Sequence, residues 1–287
     1  MQAAQPGPPT GAQASASRWP VLFVSHGAPT LALESNEPKA MGIPGHGDTA
    51  RRLRAIGREL GQPAAILIAS AHWGTAQPML SGSEAPATVH DFGGFAPELY
   101  RVRYPAPGAP AIARRVQQLL AGAGVEAGID LQHGFDHGVW VPLLHLYPSA
   151  EVPVVQLSIQ PALDARHHHA LGRALAELAD ENVLVIGSGG ITHNLGEAFA
   201  QRAVTHEAPW SRAFADWFDA RLRDRDTAAL LDWRARAPHA LRNHPTAEHL
   251  MPFFVALGAA GAGASAHLVY RGSVWSALAL DAWRFDR

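Results

Sequence analysis

Short apolar runs alternate along this chain with segments of helical periodicity. The apolar runs are rich in β-branched side chains, which is typical of strands buried on both faces of a parallel sheet. These predicted strands cover residues 21–24, 64–69, 152–159 and 183–186. Predicted helices cover 48–60, 110–120, 164–180, 210–225, 227–236 and 246–258, and two further strands cover 266–270 and 274–285. The pattern predicts an α/β fold with a mostly parallel central sheet flanked by helices.

Three of the predicted strands lead into a histidine. His26 and His72 each follow a strand that ends in serine, and His193 follows the glycine-rich segment 187–190. A fourth histidine, His249, lies at the start of the last predicted helix. Ligands of open α/β sheets bind outside the carboxyl ends of the strands, so we expect these side chains to meet there. Neutral imidazole is a good ligand for Zn and Fe(II), so the sequence predicts a metal site at this edge.

Other polar segments are open to more than one interpretation. Asp136 and His137 lie between glycines before an apolar helical segment, where a histidine can donate protons or hold a substrate. A purely structural, hydrogen-bonded histidine is the alternative. Segment 89–97 suits either a loop over a pocket or an ordinary turn. The run 167–169 is all histidine, but consecutive helical residues point about 100° apart, so we predict a solvated face.

Composition narrows the class of protein. The chain has 287 residues, of which 47% are hydrophobic and 17% charged, enough for one large domain. We expect residues 1–18 to be a disordered tail and 19–287 to be a single catalytic domain. The absence of cysteine excludes disulfides and thiolate metal sites, and the net charge of −2 argues against nucleic-acid binding. No apolar run reaches the ~18 residues that a membrane span needs, so we expect a cytoplasmic protein without membrane contact.

The histidine segments together resemble one enzyme family. The chain is similar to the class III extradiol ring-cleavage dioxygenases of the LigB-like superfamily, and specifically to their DOPA-dioxygenase branch. Six segments occur in the family's order, and the resemblance runs from about residue 20 to the end of the chain. They cover residues 25–30, 70–73, 90–95, 136–143, 187–195 and 244–249.

This resemblance implies a mononuclear non-haem metal, with Fe(II) for activity, in a site that Zn(II) could also occupy. His26 and His72 correspond to the two histidine ligands, and His249 falls where the wider superfamily has a glutamate ligand. His193 corresponds to the catalytic acid/base, and a zinc form could use it as a fourth ligand. His137 corresponds to a catalytic histidine near the substrate. The implied partners are a catechol and O2, and a homo-oligomer is left open.

The resemblance also implies an aromatic substrate pocket. We expect its walls to include Trp73, Phe92, Phe95 and Trp140, with Asp136 beside them. DOPA, a lignin-derived catechol and other catechols all fit this expectation. Two other functions fit the same histidines. One is a zinc hydrolase with Asp136 or Glu248 as general base, and the other is a non-catalytic metal-binding protein.

Overall fold

The computed structural model describes residues 18–34, 46–201, 204 and 206–287. The predicted tail therefore lies outside the described residues, except for Arg18. Within the described part, the strands are β1 (Val21–Ser25), β2 (Ala65–Gly74), β3 (Met79–Ser81), β4 (Gly128–Asp130), β5 (Val154–Ile159), β6 (Val183–Gly189), β7 (Ser265–Tyr270), β8 (Ser273–Val274), β9 (Leu278–Ala279) and β10 (Ala282–Asp286).

Helices connect these strands. They are α1 (His46–Leu60), α2 (Pro110–Gly122), α3 (His137–Leu146), α4 (Ala165–Ala174), α5 (Leu195–Ala200), α6 (Pro209–Arg223), α7 (Thr227–Leu231), α8 (Trp233–Arg236), α9 (Ala240–Asn243) and α10 (Met251–Ala260). Short 3-10 turns cover Pro29–Leu33, Leu99–Arg101, Ala176–Glu181 and Glu248–Leu250. Among the described residues, no helix combines the length and apolar character needed to cross a bilayer.

Eight strands form one sheet in the order β4-β3-β5-β2-β6-β1-β10-β7. The four central strands, β5, β2, β6 and β1, are parallel to one another. The flanking strands β3 and β10 run antiparallel to their central neighbours. This arrangement confirms the predicted α/β class with a mostly parallel sheet, and the carboxyl ends of the four central strands lie at one edge.

The strands are buried because helices cover both faces of the sheet. Leu22 and Val24 pack in a core cluster with residues of α1 and α3. Phe23 points to the opposite face, where its ring contacts Phe253 of α10 at a centroid distance of 5.2 Å. Successive strand residues alternate between faces, so an uninterrupted apolar run serves both helical layers.

The glycines at the end of β6 allow α10 to approach the sheet closely. A Cβ atom at Gly187 would lie 2.1 Å from the carbonyl oxygen of Pro252, and one at Gly189 would lie 2.1 Å from that of His249. These positions therefore exclude any larger residue without movement of the backbone. The amide of Gly190 also donates a hydrogen bond to the His249 carbonyl (2.8 Å). The glycine segment thus brings His249 to the edge of the sheet.

Two local predictions are wrong. The predicted strand 274–285 is divided into β8, β9 and β10, and Trp275 and Ser276, with φ values of 47° and 60°, lie in the turn between β8 and β9. The run 167–169 is not a solvated face, because His168 has no exposed surface. Its Nε2 accepts from the Gln160 amide (3.1 Å), and its Nδ1 donates to the Asp164 carbonyl (2.8 Å). His168 is therefore a buried structural residue at the start of α4.

Candidate active site

Three imidazole rings converge at the carboxyl edge of the central strands. His26 follows β1, His72 lies near the end of β2, and His249 lies in the turn before α10. The Nε2 atom of His72 is 3.0 Å from that of His26 and 3.3 Å from that of His249. Ring nitrogens bound to one ion at about 2.1 Å, at tetrahedral or right angles, lie about 3.0–3.4 Å apart. The spacing of this histidine trio therefore fits a single metal ion.

The hydrogen bond on the far side of His26 fixes its tautomer. The Ser188 hydroxyl donates its one hydrogen to the Gly138 carbonyl, so its oxygen must accept from Nδ1–H of His26 (3.1 Å). The Nε2 atom of His26 then carries a lone pair that faces the other two rings. Metal-binding histidines typically have such an outer partner.

The other two rings of the trio have carboxylates on their outer sides. Nδ1 of His249 lies 3.1 Å from Oε1 of Glu248, which also accepts a hydrogen bond from the Thr246 hydroxyl (2.9 Å). Thr246 therefore orients Glu248 and lies before the 3-10 turn and α10, not at the start of one continuous helix as the predicted range 246–258 implies. Nδ1 of His72 lies 3.5 Å from Oδ2 of Asp91. Each of the three rings thus has an oxygen atom on the side of Nδ1 and directs Nε2 inward.

Burial keeps the trio uncharged. It lowers the pKa of His26 and of His249 well below the usual 6.5, and the neighbouring imidazoles lower both further. Burial, followed by the effect of His137, lowers the pKa of His72 to about 3. The rings are therefore neutral near pH 7, which is the form that binds metal.

His193 lies against the trio in a different orientation. Its ring stacks on that of His249 with centroids 3.3 Å apart and planes 6° from parallel. A ring nitrogen of His193 lies within 4.8 Å of a carboxylate oxygen of Glu248 and a ring nitrogen of His249. His193 does not belong to the group of ring nitrogens formed by His26, His72 and His249. Burial lowers the pKa of His193 to about 4, while the Glu248 carboxylate acts in the opposite direction. A neutral ring stacked on the side of the cluster is placed to exchange protons.

Asp91 holds His137, the first residue of α3. Its Oδ2 lies 2.9 Å from Nδ1 of His137, and its Oδ1 accepts from the backbone amide of the same residue (2.9 Å). Burial alone would raise the pKa of Asp91, but the hydrogen bonds and charge of His137 outweigh it and lower the pKa to about 2. Asp91 therefore links His137 to His72. The sequence analysis included Asp91 in a family segment but gave it no role.

A cavity of about 410 Å³ opens at the trio. Phe92 and Phe95 line it as predicted, with ring centroids 5.3 Å apart in an edge-to-face arrangement. His137 and His193 also line it. Several apolar lining residues were not predicted from the sequence, namely Pro29, Leu195, Phe199, Trp275, Leu278 and Leu280.

Three residues expected in the pocket do not line it. Trp73 follows His72 in β2 and so points to the opposite face, where its ring stacks on His133 at 3.7 Å. Trp140 is fully buried behind Phe92, and its indole donates to the Val89 carbonyl (2.9 Å).

Asp136 is also buried beneath the site. It accepts hydrogen bonds from the Ser70 hydroxyl (2.7 Å) and from the side-chain amide of Gln156. Burial raises its pKa to about 6, although the Ser70 hydrogen bond opposes this shift. Asp136 supports the polypeptide below the cavity and does not reach a substrate in it.

Comparison with known proteins places the chain in an enzyme class. Residues 20–278 match the family described as the catalytic LigB subunit of aromatic ring-opening dioxygenase, and the chain belongs to this family. It is an aromatic ring-opening dioxygenase, which confirms the class of enzyme expected from the sequence.

Particular relatives cover most of the chain. A protein of Beta vulgaris named 4,5-DOPA dioxygenase extradiol is 40% identical over 251 residues, covering 87% of this chain and 90% of the relative. A protein of the same name from Escherichia coli K12 is 37% identical, covering 85% and 86%. The crystal structure of an uncharacterized protein from Escherichia coli K12 matches with a TM-score of 0.74 at 28% identity, covering 93% of this chain and 99% of that one.

Proposed function

We propose that this chain is an Fe(II)-dependent extradiol dioxygenase that opens the ring of a catechol. The observation that carries this proposal is the convergence of three neutral imidazole nitrogens at the floor of an apolar, aromatic-lined cavity. We assign His26, His72 and His249 as the metal ligands. An Fe(II) ion held by these three residues would supply the redox chemistry that couples oxidation of the catechol ring to reduction of O2.

His193 is the acid/base in this proposal. It is neutral near pH 7, so it can accept a proton from a catechol hydroxyl as the substrate binds. Glu248 lies close enough to favour the protonated imidazole that results, because it raises the pKa of His193. His193 can then return the proton as the ring opens. Stacking on His249 holds the ring of His193 in place beside the trio.

His137 orients the substrate. Its Nδ1 and its backbone amide are both held by Asp91, so the imidazole ring has one defined position beside His72. Their ring centroids are 3.8 Å apart. Nε2, on the other side of the ring, is then available to a catechol oxygen in the cavity that His137 lines.

The histidine trio also suits Zn(II), because three protein ligands and an open position describe catalytic zinc sites. A zinc hydrolase, however, needs a general base beside its water. Asp136 lies outside the cavity lining and is hydrogen-bonded to Ser70 and Gln156, and Glu248 is engaged by Thr246 and His249. Neither carboxylate is placed for hydrolysis, so we propose Fe(II) as the functional metal and zinc as a substitute.

Isotope incorporation tests this function. The protein is loaded anaerobically with Fe(II), its iron content is measured, and a catechol is then supplied with ¹⁸O₂. Extradiol cleavage breaks the ring carbon–carbon bond next to a hydroxyl-bearing carbon and places both oxygen atoms in the product, one as aldehyde and one as carboxylate. We expect the doubly labelled product from the iron form and none from the zinc form. An iron-loaded protein that consumes no O2 with any catechol would contradict the proposal.

A further inference from the structure

We propose that the cavity selects catechols with an uncharged, apolar substituent over catechols that carry a carboxylate. We assign Leu195, Phe199 and Trp275, which we call the rim, as the residues that hold this substituent. The inference rests on the proposed function, because it takes the histidine trio as the end of the cavity that receives the catechol oxygens.

The described lining of the cavity offers no lysine or arginine side chain to pair with a substituent carboxylate. Among the described residues that line it, none is lysine, arginine, aspartate or glutamate. Apart from the histidines and the indole N–H of Trp275, the polar side chains are Ser25 and Thr192, and both hydroxyls are engaged. The Ser25 hydroxyl donates to the Asp281 carbonyl (2.9 Å) and accepts from the Ile191 amide (3.2 Å). The Thr192 hydroxyl donates to the Ala277 carbonyl (3.0 Å) and accepts from the Ala279 amide (2.6 Å).

The described carboxylates nearest the trio would disfavour an anionic substrate. Asp91 is bound to His137, and Glu248 is bound to His249 and Thr246. Both carry the same sign as a substrate carboxylate. A carboxylate held against the partly exposed rim would lose part of its hydration without gaining a lysine or arginine partner among the described lining residues, which costs binding free energy. An uncharged substituent avoids this cost.

The rim is apolar and accessible. Leu195 is 44% exposed and Phe199 is 54% exposed, and both line the cavity. They are four residues apart on α5 and so share one face of the helix. The ring of Phe199 lies 5.5 Å from that of Trp275. Exposed apolar side chains grouped at the mouth of a pocket are typical of a binding surface for an apolar ligand.

Hydrogen bonds connect the two halves of the rim. The Ser276 hydroxyl donates to the side-chain oxygen of Gln201, the residue after α5 (2.8 Å). The Ser276 carbonyl accepts from the Ala208 amide (2.8 Å). Trp275 is thus held on a turn that is attached to the α5 region. The cavity of about 410 Å³ falls within the ~300–1,000 Å³ typical of sites for drug-sized ligands, which leaves room beyond one catechol ring.

A matched pair of substrates tests the selectivity. The acid 3-(3,4-dihydroxyphenyl)propanoate and its methyl ester have the same ring and chain, but only the acid is charged at neutral pH. With iron-loaded protein we expect kcat/KM for the ester to exceed that for the acid by about tenfold or more. Calorimetry on metal-free protein, which needs no turnover, should show the ester binding more tightly than the acid.

Two matched variants localise the effect. Leu195→Lys places a cation at the rim and should lower the ester-to-acid ratio by about tenfold. Leu131→Lys makes the same change at a leucine that is 69% exposed and does not line the cavity, and should leave the ratio unchanged.

The possible outcomes separate this inference from the proposed function. Equal or stronger binding and cleavage of the acid would overturn the selectivity while leaving ring cleavage intact. Ester-selective binding without cleavage of any catechol by the iron form would contradict the proposed function but retain the apolar site. An equal response of the ratio to both lysine variants would overturn the assignment to the rim.

Discussion

The floor and the rim of the cavity are built on opposite principles. The floor is the histidine trio. It lies at the ends of buried strands and at a helix start, and the Nδ1 atom of each ring has an oxygen atom within 3.5 Å on its outer side. The rim lies on a six-residue helix and on a turn between two-residue strands, and it is largely exposed. The floor has the rigid support that metal chemistry needs, whereas the rim can change without disturbing it.

This difference implies that floor substitutions alter chemistry or metal binding, while rim substitutions alter substrate preference. Substitutions of His193 and Asp91, which contact the floor, should also alter chemistry, whereas substitution of the buried Asp136 should alter stability. The largest predicted effect concerns proton transfer and the smallest concerns the rim.

His193→Ala should lower kcat by about 10²–10⁴-fold, because a general acid/base typically contributes that much. Iron content should stay at the wild-type level, since His193 stacks on His249 and does not group with the other two ligands. Oxygen uptake and iron assay on the same anaerobically loaded sample provide the measurement. Loss of iron together with activity would instead make His193 a fourth ligand.

Asp136→Asn should change the pH dependence of stability. The pKa of Asp136 is raised from 3.8 to about 6 in the folded protein, so the folded state holds this proton more tightly than the unfolded state. The resulting stabilisation is complete below pH 3.8 and is lost as pH rises through about 6. A shift of about two units corresponds to roughly 3 kcal/mol in the free energy of unfolding.

The variant lacks this titration, so its stability relative to wild type should increase between pH 4.5 and 7. Gln156 can accommodate the new amide by rotating its own, because its Oε1 has no hydrogen-bond partner. Urea unfolding of both proteins across this pH range gives the difference directly. A pH-independent difference would mean that Asp136 is not protonated preferentially in the folded state.

Asp91→Asn should lower kcat/KM by about 10–100-fold, which is the usual effect of removing an outer partner from a site histidine. The amide cannot accept from both the backbone and the ring of His137 as the carboxylate does. Asp130→Asn is a suitable control, because the side chain of Asp130 accepts hydrogen bonds from the loop amides of Gln132 and His133 and, among the described residues, from no histidine ring. Equal kcat/KM values for the Asp91→Asn and Asp130→Asn variants would show that Asp91 does not support catalysis through His137.

At the rim, Phe199→Ala should raise KM for an apolar-substituted catechol by about three- to fivefold. The effect is small because a half-exposed ring gains only part of the free energy of full burial when it covers a ligand. Iron content should not change. A loss of iron in this variant would show that floor and rim are not independent.

The floor could be predicted from the sequence because it depends on regular features. Apolar strands that lead into histidine bring His26 and His72 to one edge of any parallel sheet. Side chains alternate along a strand, so Trp73 could not share the face of its neighbour His72, and its predicted place in the pocket conflicts with this alternation. His168 was misplaced because its burial depends on hydrogen bonds to Gln160 and Asp164 that helical periodicity does not reveal.

The rim could not be predicted in this way. The helix α5 has six residues, too few for a clear apolar periodicity, and the sequence analysis did not identify it. Trp275 and Ser276 lie in a left-handed turn without glycine, inside a stretch that resembles one continuous strand. Their proximity to Phe199 arises from tertiary packing between segments about 75 positions apart, as in the bond from Ser276 to Gln201.

The most direct test of this account is the iron content of single-alanine variants of the floor. His26→Ala, His72→Ala and His249→Ala are loaded anaerobically beside wild type, and circular dichroism confirms that each is folded. His267→Ala, at a histidine with a 57% exposed side chain, serves as the control. We predict strong loss of iron and of oxygen uptake in all three floor variants and neither loss in the control. Full iron occupancy in any one of the three would contradict the assignment of that histidine and the single-ion site.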